Sequence, residues 1–86
     1  MNRNPAMNRP TALIAEDEPL MRERLKEKLA EAWPELDIVA EAEDGEEALA
    51  LYEEHKPQLA FLDIRMPGVS GLDVAAAIGG GCHVVF

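Results

Sequence analysis

Apolar and polar positions along the chain switch repeatedly between short continuous runs and a helical spacing. Thr11 to Ala15 is an apolar run that ends in Glu16, Asp17 and Glu18, which reads as a strand handing carboxylates to a loop. From Pro19 to Ala32, Met21, Leu25 and Leu29 recur every four residues while Arg22, Glu23, Arg24, Lys26, Glu27 and Lys28 fill the other faces. That is the pattern of an amphipathic helix with one buried stripe. Pro19 suits its first turn, where a missing N–H costs nothing, and the acids before it match the positive end of the helix dipole. Trp33 and Pro34 end it. Leu36 to Ala42 alternates, with Ile38, Ala40 and Ala42 on one side and Asp37, Val39 and Glu41 on the other, as expected of a strand at a sheet edge. Asp44, with Glu47 three residues on, marks the N-cap of a second helix. Ala48, Leu49 and Tyr52 form its apolar side, and His55 to Pro57 stop it.

The next run, Leu59 to Leu62, is too short for an ordinary helix and is bounded by Asp63 and the turn residues Pro67, Gly68 and Gly71. It reads as a strand buried on both faces. Ser70 to Ile78 follows as a weak helix with Leu72, Ala75 and Ile78 facing inward, closed by Gly79 to Gly81. His83 to Phe86 opens one more strand. Strands and helices in strict alternation with short connections specify parallel pairing through right-handed crossovers, hence an α/β fold, a three-layer doubly wound parallel sheet. The acid-bearing strand ends then share the carboxyl edge of the sheet, where open α/β sheets hold their ligands.

Residues 1–10 repeat Met-Asn-Arg and carry Pro5 and Pro10, the marks of a flexible leader, which leaves 11–86 as one domain. The 17 acidic residues outnumber the 8 basic ones, for a net charge of -9, so direct binding of this segment to nucleic acid or an anionic membrane is excluded and cations or basic protein surfaces are the expected partners. Glu35 to Glu54 holds nine acids and no base, read as a solvated helix face. Cys82 stands alone, so neither a disulfide framework nor a zinc cluster is expected. No run approaches the roughly 20 apolar residues of a membrane span, and a cytoplasmic protein is expected. His55 and His83 sit at element ends without metal-ligand partners at ordinary spacing.

Chemistry concentrates on Glu16, Asp17 and Asp63, which come from the ends of two strands that a doubly wound order places side by side. Carboxylates gathered this closely repel, so one takes a proton or a cation enters. Mg²⁺ suits so small and open an acidic set, because it binds through one or two carboxylates and keeps positions for water and phosphate oxygens. With such a cation Asp63 can attack phosphorus as a nucleophile, yielding an aspartyl phosphate. Strand-end acids also cap helices and form surface ion pairs, and that plainer reading stays open.

The run Leu13-Ile14-Ala15-Glu16-Asp17-Glu18-Pro19, the run Asp44-Gly45-Glu46-Glu47-Ala48-Leu49, and Asp63-Ile64-Arg65-Met66-Pro67-Gly68 with Gly71 together resemble the receiver domain of two-component response regulators, from Thr11 to Phe86. The resemblance implies a flavodoxin-like sheet of order 2-1-3-4-5. It implies that Asp63 accepts phosphate from a sensor histidine kinase, and that Glu16, Asp17 and Asp63 hold Mg²⁺ with the Arg65 backbone carbonyl. Asp17 to Leu25 looks most like regulators that carry a LytTR-type DNA-binding output domain. Receivers place a Ser or Thr after the fourth strand and a Lys after the fifth, and this sequence stops before either. It is therefore expected to be a receiver truncated after its fourth strand, the front of a longer regulator whose output domain binds DNA. An unpaired outer edge at Val84 to Phe86 predicts dimerisation or strand exchange of the isolated piece.

Two other functions compete with a phosphoacceptor module. A metal-dependent phosphohydrolase with an aspartyl nucleophile would resemble haloacid dehalogenases, which place an acid two residues after the nucleophile, where this chain has Arg65. A phosphate-independent adaptor would use the acidic edge only to dock a partner.

Overall fold

The computed structural model describes residues 9–86, so the leader expected over residues 1–10 lies, except for Arg9 and Pro10, outside the described residues. Strands β1 (Thr11–Ala15), β2 (Asp37–Ala42), β3 (Leu59–Leu62) and β4 (His83–Val85) alternate with helices α1 (Pro19–Ala32), α2 (Gly45–His55) and α3 (Gly71–Ile78), and a 3₁₀ turn over Gly79–Gly81 leads into β4. All neighbouring strands are parallel, in the order β2-β1-β3-β4. The parallel α/β sheet expected from the alternation is therefore the fold. β1 lies inside the sheet with a strand on each side, and Ala12, Leu13 and Ile14 have no exposed surface.

One face of the sheet makes the core. Leu13, Ala15, Ala40, Ala42, Ala60 and Leu62 meet Ala48 and Tyr52 of α2, Val74 of α3, and Met66 from the loop between. The many alanines let the helices sit close to the strands, and burial of this apolar surface is the main stabilising term. Both helices on this side have capped starts. Asp44 Oδ1 accepts from the Glu47 N–H at 2.8 Å, and Glu47 Oε1 reaches back to the Glu43 N–H at 2.7 Å. Ser70 and Asp73 close a full capping box, with the Asp73 N–H donating to Ser70 Oγ and the Ser70 N–H to Asp73 Oδ2, each at 3.2 Å. At the far end of α2, Lys56 turns left-handed at φ 46°, so the helix stops before Pro57.

The other face is less well covered. None of the α1 residues is buried, Met21 is 56% exposed, and Leu25 and Leu29 are half-buried, contrary to the expected buried stripe. Leu59 and Phe61 of β3 are likewise half-buried, so that strand is sealed on one face and not on both. The reason is that α1 alone lies over this face among the described residues. Charge contributes to holding it there: Arg22 and Lys26 reach Glu41 of β2 at 3.7 and 3.0 Å.

Two further expectations shift by one residue. β2 carries a bulge, since Ala12 pairs with Ile38 while Leu13 pairs with Ala40. Paired residues of parallel strands point the same way, so Ile38 goes with Ala12, and Val39 packs with Ala40 and Ala42 toward α2. In α3, Leu72 is 56% exposed and the inward positions are Gly71 and Val74, with Ala75 and Ile78 beside them. The Ser70 cap sets that phase. It brings Gly71 against the backbone of Asp63, where a Cβ would overlap the Asp63 carbonyl oxygen. Gly71 is thus a packing residue as well as a turn residue. Gly71→Ala is expected to lower stability by about 1 to 3 kcal/mol, the usual cost of overpacking, read as a fall in the urea midpoint at unchanged slope.

Candidate functional site

The site begins with the ladder between β1 and β3. Ala15 pairs with Leu62, so Glu16 and Asp63 are the next residues along two adjacent strands. The Asp63 N–H donates to the Ala15 carbonyl and the Glu16 N–H to the Ala42 carbonyl, both at 3.0 Å. These bonds carry the pairing one residue beyond the strands. Asp17 follows in the loop before α1. One carboxylate oxygen from each of Glu16, Asp17 and Asp63 lies within 4.8 Å of the others, and all three side chains are partly buried.

Two of the three acids are held by local backbone. Asp63 Oδ1 accepts from the Arg65 N–H at 3.1 Å, and Glu16 Oε2 accepts from the Glu18 N–H at 3.1 Å. Arg65 stands in the turn after Asp63, and its side chain is exposed. Burial pushes the Glu16 carboxyl above its ordinary value of 4.5. The Glu18 N–H opposes that rise, while the charge of Asp63 and the contact with Asp17 add to it. Three hard oxygen donors in a partly buried cluster, with charge repulsion to relieve, fit a small divalent cation.

Two cavities flank the cluster. An open one of 440 Å³ is rimmed by Asp17, Glu43, Asp44, Glu46, Pro67 and Gly68. An apolar one of 380 Å³ runs under α1 past Leu25, Phe61 and Val85 and touches Glu16 and Asp63. Of this rim, the sequence pattern marks Asp17 as a candidate cation ligand and Asp44 as an N-cap, and assigns Glu43 and Glu46 to a solvated helix face. The signal for the rim was the position of Asp44, an N-cap that follows a strand end and so stands on the same edge as Asp17. Arg22, whose Nη1 donates to the Glu16 carbonyl at 2.7 Å, falls by spacing on a face of α1 away from the apolar stripe. The signal for its contact was its place in the first turn of α1, from which helical side chains lean back toward the N-terminus.

The family profile of the response regulator receiver domain matches residues 12–82. The chain belongs to this family. Among similar proteins, an uncharacterized response regulatory protein of Vibrio cholerae is 55% identical over 65 residues, which is 76% of this chain and 25% of that protein. A probable transcriptional regulatory protein, NarL, of Mycobacterium tuberculosis is 40% identical over 87% of this chain and 34% of its own length. The chain therefore spans a quarter to a third of the length of these relatives. Among solved structures, the signal receiver domain of the putative response regulator NarL from Mycobacterium tuberculosis superposes with a TM-score of 0.81 at 37% identity, over 88% of this chain and 63% of that one. The response regulator TrrA of Thermotoga maritima, solved in complex with Mg²⁺ and BeF, gives 0.71 at 46% identity over 80% and 57%. The parallel sheet of this receiver is thus the flavodoxin-like one of the family. No described helix is long and apolar enough to cross a membrane.

The raised Glu16 value sets a pH dependence. An acid that binds its proton more tightly in the folded than in the unfolded chain subtracts stability once the pH exceeds both values, and that loss is relieved as the pH falls through the folded value toward 4.5. With a chelator present, Glu16→Gln is expected to be more stable than the parent at neutral pH, the gain vanishing near about pH 4. Urea midpoints at the two pH values measure it.

Proposed function

We propose that this receiver is the phosphoacceptor module of a two-component phosphorelay, and that Asp63 takes a phosphoryl group from a phosphohistidine of a sensor histidine kinase. The observation that carries the reading is the meeting of Glu16, Asp17 and Asp63 within 4.8 Å at the carboxyl ends of β1 and β3. These three carboxylates, with the Arg65 backbone carbonyl, would hold Mg²⁺. A bound cation there would supply charge neutralisation and in-line orientation for the incoming phosphoryl group. The Arg65 N–H engages Oδ1 of Asp63, which leaves Oδ2 for phosphorus. The new O–P bond forms as the P–N bond of the donor breaks, and the departing imidazole keeps the electron pair and takes up a proton. A carboxylate nucleophile requires no general base for this step. The product is a mixed anhydride on Asp63, and the chain acts as a substrate that assists its own modification, with no turnover of its own.

In the whole protein the receiver governs a downstream output, which we take to be transcriptional and of the LytTR DNA-binding type, in the cytoplasm. A transcriptional output is supported by NarL, a probable transcriptional regulatory protein, and the LytTR type by the run Asp17 to Leu25 and by the similarity to the sensory transduction protein LytT of Oceanobacillus iheyensis, which is 47% identical over 77% of this chain and 26% of its own length. The phosphohydrolase reading is disfavoured by Arg65 at the position where such enzymes place a second acid. The adaptor reading calls for exposed acids, whereas Glu16, Asp17 and Asp63 are partly buried and drawn together. Intact-mass spectrometry after incubation with acetyl phosphate and Mg²⁺ separates them. One added phosphoryl group per chain, absent in Asp63→Asn, is the expected result; steady release of phosphate favours the hydrolase, and no adduct favours the adaptor.

Self-association of this chain is the second part of the proposal. Among the described residues no strand pairs with the outer edge of β4, and Val85 and Phe86 beside it are 42% and 59% exposed. Such an edge is a template for a second copy. Sedimentation is expected to show a mass that rises with concentration and falls back to the monomer in Val85→Lys; a monomer at every concentration refutes this part.

A further inference from the structure

Arg22 lies in the second half of the first turn of α1, between elements that the site depends on. Its side chain is only 15% exposed, whereas Glu23 and Arg24 beside it lie in solvent. Nη1 donates to the Glu16 carbonyl oxygen at 2.7 Å, and Nε faces Glu41 Oε1 at 3.7 Å. The other oxygen of Glu41 takes Lys26 Nζ at 3.0 Å. Glu41 pairs with Ile14 in the β1–β2 ladder, so its side chain stands on the face that α1 covers. One guanidinium therefore ties together the end of β1, the edge strand β2 and the start of α1.

The oxygen that Arg22 holds belongs to the peptide joining Glu16 to Asp17. Because a peptide is planar, fixing its oxygen fixes the plane, and with it the directions in which the Glu16 and Asp17 side chains leave the backbone. A guanidinium is suited to this, since it presents separate donors in a rigid fork to a carbonyl and a carboxylate at once. Its charge acts the other way: a cation beside the cluster opposes entry of a second one. Glu41 offsets that charge and leaves the geometric effect.

We infer that Arg22 is a positioning residue for the cation site, setting the Glu16–Asp17 peptide without touching the ion. The inference rests on the reading of Glu16, Asp17 and Asp63 as an Mg²⁺ site. Position and charge predict opposite signs. Loss of positioning weakens Mg²⁺ binding, whereas loss of a nearby positive charge alone tightens it.

The test is calorimetric titration of MgCl₂ into the parent, Arg22→Gln, Arg22→Lys, Glu41→Gln and Asp17→Asn, with a urea midpoint for each. Arg22→Gln is expected to weaken Mg²⁺ by about 10-fold or more, as loss of an outer-shell partner does. Arg22→Lys, which retains a donor but not the fork, is expected to recover part of the loss, and Glu41→Gln to weaken binding less. An unchanged Kd with a lower urea midpoint makes Arg22 merely structural and overturns the inference; tighter binding overturns it in favour of charge alone. If Arg22→Gln does not fold, Arg22→Lys, which keeps the charge and loses the fork, decides it by the same criterion, weaker binding supporting it and an unchanged Kd overturning it. Absence of Mg²⁺ binding by the parent, or binding unaffected by Asp17→Asn, overturns the site reading and the inference together. Loss in Asp17→Asn with no change in the Arg22 and Glu41 variants overturns the inference alone.

Discussion

Repulsion among three carboxylates is the constraint around which this receiver is arranged. Two unit charges about 4 Å apart repel by about 1 kcal/mol in water and by about 4 kcal/mol at the effective dielectric near a protein surface. Ladder bonds from Asp63 to Ala15 and from Glu16 to Ala42 pin the backbones of Glu16 and Asp63 at neighbouring strand ends, with Asp17 next to Glu16 in the chain. The conflict is visible in Glu16, whose carboxyl favours its proton through burial and through the two acids beside it. A site built this way is unfavourable when empty and gains from a cation what a relaxed cluster would not.

The two faces of the sheet meet that constraint differently. Toward α2 and α3 the packing is apolar and close, with alanines in the strands and glycines where backbone meets backbone. A Cβ at Gly71 would overlap the Asp63 carbonyl, and one at Gly45 would overlap the Val69 carbonyl. The loop that carries Asp63 is thereby clamped between the starts of two helices. Toward α1 the contacts are long side chains, Arg22 and Lys26 on Glu41, and half-buried Leu25 and Phe61 border a cavity instead of a sealed core. Interactions of this kind are weaker and more easily rearranged than a sealed core. The acids therefore stand between a rigid side and a yielding one.

Much of this was legible in the residues. Strand and helix order, the cap at Asp44, the edge placement of β2 and the delivery of acids to strand ends follow from local pattern, because each depends on neighbours within a few positions. The departures share one cause. The bulge at Val39 inserts one residue into β2 and moves Ile38 to the opposite face, and the phase of α3 turns Leu72 outward where Val74 goes in. Periodicity identifies an element but is insensitive to a slip of one residue, which only contact with the next layer resolves. The α1 stripe failed for a related reason: spacing identifies an apolar face, and burial requires something to cover it.

What the sequence determined by itself was the set of elements, their parallel order and the identity of the acids, since propensity, capping and strand-ending carboxylates are properties of short segments. Tertiary structure decided which atoms face one another. It brought Asp17 and Asp63, which lie 46 residues apart, into one cluster, set Gly71 under the Asp63 backbone, and laid Arg22 on the peptide between Glu16 and Asp17. Those relations depend on distances between segments remote in the chain, which only the packing of helices on the sheet can set.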